Sequence, residues 1–389
     1  MDVQAMRDRP VGLALSGGLS SLAVAVWLRD SGADLTCFVA DIGQGPPAAV
    51  PTLVDALGRH GLKAVAVDLT AEMAAAGLDL LRYQARHDGG YWNTTGMSRQ
   101  VLVAGLVPRL RAAGCTVLAH GCVGGGNDER RFARYTAAYA PDLAGYAPWT
   151  DPAALERFPG RAAMADQLAA EGLPVDPGST ATRSTDANLA GSSHEDAALE
   201  DLATPPTVIR PLAGRWPTEA PDRPRPVTVR VERGVPVALD GEPLPPVDLL
   251  RRANAVAADN GVWMRDVVEN RVNGTKCRGV YEAPGAELLG AAVAEAHRVT
   301  VADRGYRLLE SLSAFLGQQV YEGRWAEPAT AAARAGLDVL AAGATATVEL
   351  TLYKGSLTVQ AVRDYPAAAD AIRQARFGAG GHHWELVGT

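Results

Sequence analysis

Residues Val11 to Leu22 read VGLALSGGLSSL, an apolar strand that ends in Ser16-Gly17-Gly18 and passes at once into a helix starting near Leu19. A strand stopping at such a turn leaves backbone N–H groups facing the positive end of the next helix, a geometry that binds phosphate. Taken alone, the turn could simply close a strand onto a helix. A second glycine-rich strand-to-helix turn, His120-Gly121-Cys122-Val123-Gly124-Gly125-Gly126-Asn127-Asp128, follows it, and the pair points to a nucleotide. A Walker loop needs a lysine to reach the β and γ phosphates. None occurs in the first turn or the helix behind it, and a Ser/Gly loop suits a pyrophosphate that leaves as a unit, hence AMP-forming chemistry.

Strand signals at Val11–Leu15, Asp34–Ala40, Ala64–Asp68 and Thr116–Ala119 alternate with helical runs such as Leu19–Asp30 and Val101–Ala113, which predicts an α/β fold with a doubly wound parallel sheet. Ligands of such sheets sit at the carboxyl ends of the strands, placing Ser16, Gly43 and His120 along one edge. The composition turns rich in Pro, Gly, Ser and Thr after residue 172, and 204–226 is proline-dense. The expected organisation is a nucleotide-binding domain over 1–168, an α+β substrate and oligomerisation domain over 172–362, and a tail over 363–389. Strands at Val227–Glu232 and Ala346–Tyr353, with helices around Val247–Asn260 and Arg304–Val320, carry the second domain.

With 389 residues, 47% hydrophobic and 21% charged, the chain can bury a sizeable core. A net charge of −7 without a Lys/Arg cluster argues against a nucleic-acid partner. No apolar run reaches the ~20 residues of a membrane span and the N-terminus lacks a signal-peptide core, so the expected location is cytoplasmic. Cys37, Cys115, Cys122 and Cys277 lack metal-ligand spacing and read as reduced thiols, Cys122 as a space-filling residue rather than a nucleophile. His382-His383 near the terminus has no third ligand and reads as solvent-exposed rather than metal-binding.

The stretches LALSGGLSS (13–21), ADIGQ (40–44), YWNTTGMSR (91–99), HGCVGGGNDERRF (120–132), STDANLAGSSHE (184–195), VTVRVERGVPVALDG (227–241), VENRVNGTKCRGVYEAPG (268–285) and VYEGRW (320–325) resemble the argininosuccinate synthases, a family of ATP pyrophosphatases with an SGG loop, in family order. The resemblance implies an ATP- and magnesium-dependent carbon–nitrogen ligase. The ureido oxygen of citrulline attacks the α-phosphorus of ATP, pyrophosphate leaves, and the aspartate amine displaces AMP. Ser16, Gly17, Gly18 and Ser21 would cradle the departing pyrophosphate, with Ala40 near the adenine and His120 and Gly121 closing the nucleotide site, and Ala14 and Ser20 complete the ATP-binding set. His120 reads equally well as a hydrogen-bonded structural histidine. Ser16, Arg99 and Asp128 are the catalytic candidates. Tyr91, Thr95, Val123, Asn127, Asp128, Arg131, Ser184, Ser193, Glu195, Glu269 and Tyr281 match the substrate-binding set. Asn127 and Arg131, four apart, would present an amide and a guanidinium together to carboxylates. From the residues alone, Ser184 reads as a helix cap for the DANLA segment. The family also implies a homotetramer clasped by a C-terminal helix, for which this tail is short.

Three positions depart from the family pattern. Ser20 stands where a carboxylate near the magnesium is expected, and Val123 and Gly125 replace a Thr and a Lys of the second loop. These leave open an ordinary argininosuccinate synthase of arginine biosynthesis, a relative with another amine donor or ureido acceptor, and a nucleotide-binding homologue without turnover.

Overall fold

The computed structural model describes residues 2–173, 183–366, 369, 375–377 and 384–386. Strands β1 (Pro10–Ala14), β2 (Asp34–Asp41), β3 (Ala64–Asp68), β4 (Val117–His120) and β5 (Ala144–Tyr146) form one parallel sheet in the order β3-β2-β1-β4-β5. Its helices are α1 (Leu19–Asp30), α2 (Ala49–Arg59), α3 (Thr70–Arg82), α4 (Thr94–Ala112), α5 (Asn127–Tyr139), α6 (Pro152–Arg157) and α7 (Arg161–Ala170). Six of the eight residues of β2 are buried in an unbroken run, the pattern of a strand covered on both faces. Successive residues point oppositely: Cys37 and Val39 join an apolar cluster with α1, whereas Phe38 and Ala40 join one with α3 and α4.

The strands predicted for this sheet hold to within a residue at each end, and β5 is an addition. Helix α4 begins seven residues before the predicted start, because Asn93, in the left-handed region at φ 56°, turns the chain into the helix at Thr94. Two β-branched threonines open it, and their modest helix propensity hides the start from a sequence reading.

The second half builds two antiparallel sheets. Strands β6 (Arg183–Asn188) and β7 (Gly191–Asp196) join β11 (Met264–Asn270) and β12 (Lys276–Glu282) in the order β11-β12-β7-β6. Strands β8 (Arg225–Glu232), β9 (Val235–Leu239), β10 (Glu242–Pro243), β13 (Ala346–Tyr353) and β14 (Ser356–Arg363) form the other. Helices α8 (Pro246–Asp259), α9 (Pro284–Thr300), α10 (Asp303–Glu322) and α11 (Pro328–Ala341) complete it. Ser184 lies in β6, paired with Glu195 of β7, so the helix-cap reading is overturned: STDANLAGSSHE forms a hairpin that turns at Leu189-Ala190. A local Ser-Asp pattern cannot reveal cross-strand pairing. One apolar cluster runs from Phe38 and Leu118 through Leu249 and Leu289 to Val229 and Leu350, so the two halves share a core.

The connector after β7 is fixed by one carboxylate. Buried Glu282 accepts the Leu212, Ala213 and Gly214 N–H groups at 2.6, 3.0 and 2.7 Å and meets His194 Nε2 at 2.5 Å. Burial alone would raise its pKa, but these donors outweigh that and hold it below the ordinary carboxylate value. Two short strands, Ala375–Phe377 and Trp384–Leu386, pair near the C-terminus, while His382 and His383 lie outside the described residues.

Candidate active site

The order of the parallel sheet reverses between β1 and β4, and both glycine loops leave the carboxyl ends of these two strands, where Ala14 pairs with His120. An open α/β sheet binds its ligand at such a switch point. Gly18 is the extended N-cap of α1 and no side chain caps that end. The loop is preset by its own hydroxyls. Ser21 Oγ donates to Gly18 O at 2.9 Å and lies 3.1 Å from Ser16 Oγ, which accepts the Gly18 N–H at 3.4 Å. Gly17 sits at φ +84°, where a Cβ would also come within 2.6 Å of Leu53. A Cβ on Gly121 would lie 2.8 Å from Ser21 Cα, so the two loops touch backbone to backbone. Trp149 Nε1 donates to Gly121 O at 3.1 Å and braces that contact. Ala40, on β2 beside β1, is buried. Ser20 is half-buried in the first turn of α1.

His120 is buried, stacked on Phe132 with ring centroids 4.6 Å apart, and its Nδ1 accepts the Cys122 N–H at 3.3 Å. Burial pulls its pKa down to about 4, so it is neutral at pH 7, and it holds the second loop through that hydrogen bond. Burial pushes the Cys122 thiol up to about 12, which leaves no thiolate to act as a nucleophile.

Beyond the second loop, helix α5 starts at Asn127 with no side-chain cap. Asp128 bridges two arginines: Arg99 Nη2 donates to Oδ2 at 2.9 Å and Arg131 Nη1 to Oδ1 at 2.8 Å. Burial opposes ionisation of Asp128, yet Arg99 and Arg131 together hold its pKa below the usual value. Arg99 also bonds Asp186 of β6, tying the hairpin to α4. The expected joint display of Asn127 and Arg131 to a carboxylate is altered by these contacts. Arg131 Nε donates to Tyr321 O at 2.8 Å, while Asn127 donates to the Tyr321 hydroxyl at 2.9 Å and accepts the Val272 N–H at 3.1 Å. A sequence spacing shows which face two residues share, not which partners already occupy them.

The Tyr91 and Tyr281 rings, both expected at the substrate, stack 3.8 Å apart. Tyr91 is fixed by the Thr95 N–H to its hydroxyl at 3.0 Å, and Thr95 Oγ1 reaches Ser193 Oγ at 3.3 Å. Tyr281 is opposite Ser193 in the sheet, and burial, then the nearby Glu269 charge, raise its pKa well above the ordinary tyrosine value. Glu269 is 3% exposed; its Oε1 accepts the Tyr321 hydroxyl at 2.6 Å, and its buried Oε2 has no hydrogen-bond partner. Ser184 and Glu195 stand on the exposed part of the hairpin. Val123, 71% exposed, and Gly125, at φ +75° with open space around it, form the tip of the second loop. Tyr321, His87 and Asp186 belong to this constellation and were not singled out by the sequence reading. The only signal for Tyr321 was its place in VYEGRW. Among the described residues no group of three His, Cys, Asp or Glu could hold a metal ion, and no helix is long and apolar enough to cross a membrane.

Comparison with known proteins adds the family. Residues 10–170 match the argininosuccinate synthase N-terminal HUP domain and residues 183–370 the argininosuccinate synthase C-terminal domain. The chain is 37% identical to the argininosuccinate synthase of Pelotomaculum thermopropionicum over 91% of its own length and 87% of that protein. It is 35% identical to that of Moorella thermoacetica over 96% and 90%, and 34% identical to the chloroplastic enzyme of Arabidopsis thaliana over 90% and 71%. The chain belongs to the argininosuccinate synthase family, and is a ligase that forms carbon–nitrogen bonds with ATP cleaved to AMP and pyrophosphate.

Proposed function

We propose that the chain adenylates the ureido oxygen of citrulline or a closely related ureido amino acid and then lets an amine displace AMP. The observation that carries this reading is the bare, buried Oε2 of Glu269 beside the Tyr91–Tyr281 stack. A buried carboxylate oxygen without a partner is costly unless a donor arrives, and the α-ammonium of an amino acid is such a donor. Asp128 and Arg131 follow directly on the second glycine loop, and Arg131 also bonds Tyr321, the partner of Glu269, so the ureido group would meet the α-phosphate beside them and Arg99. A ureido oxygen is a poor leaving group and adenylate a good one, so activation must precede amine attack.

Magnesium would be held by phosphate oxygens and water, because Ser20 supplies a hydroxyl where a carboxylate would serve and the described residues assemble no cluster of their own. Its bound form would offset phosphate charge.

A second reading, an amine donor less acidic than aspartate, is favoured by the tip of the second loop. Val123 offers an exposed apolar surface, Gly125 offers no cation, and the neighbouring Arg131 is already paired with Asp128. The deciding experiment supplies ATP and citrulline with a panel of amines and reads AMP together with product mass. Aspartate as the best donor at micromolar KM establishes ordinary argininosuccinate synthesis. A neutral amino acid or amine as the best donor establishes the second reading, and release of AMP with no citrulline dependence overturns both.

A further inference from the structure

We propose that Tyr321 is the positioning residue that aims Glu269 at the acceptor, through a hydrogen-bond chain that can run in only one direction. The proposal rests on the reading of the Glu269 cavity as the site of a ureido amino acid. The chain begins at a backbone group. The Val272 N–H can only donate, so the oxygen of the Asn127 amide must face it, at 3.1 Å. That orientation turns Asn127 Nδ2 toward the Tyr321 hydroxyl, at 2.9 Å. An amide NH₂ can only donate, so the phenolic oxygen accepts and its proton is left for Glu269 Oε1, at 2.6 Å. Glu269 is therefore held as an acceptor at Oε1. Its other oxygen, buried and without a partner, is the one directed acceptor that remains.

The tyrosine itself has no freedom to swing. His87 stacks on its ring at 3.6 Å between centroids and 15° between planes, and the Arg131 guanidinium lies 4.8 Å from the ring centroid. Its backbone carbonyl accepts Arg131 Nε at 2.8 Å. The same side chain thus joins the last turn of α10, the start of α5 and strand β11. Cys277 Sγ approaches Glu269 Oε1 only at 3.8 Å, so the Tyr321 hydroxyl at 2.6 Å is the short contact to that oxygen, and the Tyr281 hydroxyl lies beside the same carboxylate. An α-ammonium group meeting Oε2 would find its partner already oriented.

Tyr321→Phe keeps the ring, its stack on His87 and its place beside Arg131, and removes only the hydroxyl. The test measures, by titration calorimetry on the full chain, the affinities for citrulline and for 5-ureidopentanoate, the same molecule without its amino group, together with that for ATP. In the variant citrulline should bind roughly tenfold more weakly, the loss of one hydrogen bond to a charged group. Binding of 5-ureidopentanoate and of ATP should stay within about twofold, so the preference for the amino group collapses; the twofold bound is an order-of-magnitude tolerance for a surface-neutral change. Cys277→Ala, which removes the weaker contact to the same oxygen, should leave that preference intact and serves as the folded control. Unchanged citrulline binding, or equal weakening of both ureido ligands, overturns the positioning role. A wild-type protein that binds neither ligand overturns instead the reading of the cavity, and the role of Tyr321 with it.

Discussion

The two ends of the active site are built on different principles. At the end proposed for the nucleotide, Ser16 to Ser21 and His120 to Gly126 offer backbone: two glycine turns at adjacent strand ends, the first preset by its own hydroxyls and touching the second at Gly121. At the acceptor end, side chains from α4, α5, the β6–β7 hairpin, β11, β12 and α10 converge, and each is held by another: Tyr91 by Thr95, Asp128 by two arginines, Glu269 by Tyr321. A backbone site depends on local conformation and, at Gly17 and Gly121, leaves no room for a Cβ. A side-chain site depends on charge balance and tolerates no missing partner.

The sharpest way to break that contrast is to remove a partner. Arg131→Met would leave the half-buried Asp128 with one arginine fewer and free the Tyr321 carbonyl, and the loss should approach the lower end of the about 3–5 kcal/mol that breaking a fully buried pair costs. We expect acceptor binding and folding stability to fall together, read by calorimetry and by the denaturant midpoint. If stability is unchanged, the acceptor end is not the interlocked network described.

Gly121→Ala tests the other end. The added methyl would press on the Ser21 backbone, and overpacking of this kind costs roughly 1–3 kcal/mol. The Kd for ATP should rise by about ten- to a hundredfold while citrulline affinity measured without ATP stays near wild type. Equal losses of both ligands would show that the two ends are one cooperative unit.

Acid should reach the ends in order. His120 has a folded pKa of about 4 against an ordinary value of 6.5, so protons favour the unfolded state. Its stabilising contribution is complete above about pH 6.5 and is lost as the pH falls toward 4. Glu282 is held below the ordinary carboxylate value of 4.5, so its contribution begins to be lost only as the pH falls below about 4.5, after most of the His120 contribution has gone. Hydrogen exchange should therefore show protection around the second glycine loop weakening before that of the connector at residues 212–214. The reverse order would contradict the burial of His120 as the cause.

The loop tip gives a smaller effect. Val123→Thr should improve aspartate as donor by up to about tenfold if the natural donor is less acidic, and by little if it is aspartate. Adding Gly125→Lys is less informative, because a side chain at φ +75° carries a left-handed strain of about 1–2 kcal/mol that subtracts from any gain. Ser20→Asp should give the smallest change, a few-fold fall in the magnesium concentration for half-maximal activity, consistent with one half-exposed charge near the metal. An unchanged magnesium titration would place the metal away from the first turn of α1.

Much of the nucleotide end was legible from the order of residues alone. The strand, Ser-Gly-Gly turn and helix at residues 10–30 are set by short-range rules: an apolar run buried on both faces, a turn that needs glycine at positive φ, and a helix with no capping side chain. The alternation of strands and helices likewise specified the parallel sheet. Only the tertiary structure decided the acceptor end, because its contacts join residues far apart in the chain, Asn127 to Tyr321 and Glu269 to Tyr321 among them. It turned Ser184 from a helix cap into a strand residue, since pairing with Glu195 is settled across the hairpin and not along it. It also showed that Asn127 and Arg131 have protein partners, and that a tyrosine with no local signature fixes Glu269. Backbone conformation is written in neighbouring residues, whereas the pairing of buried polar groups is decided by which elements the fold brings together.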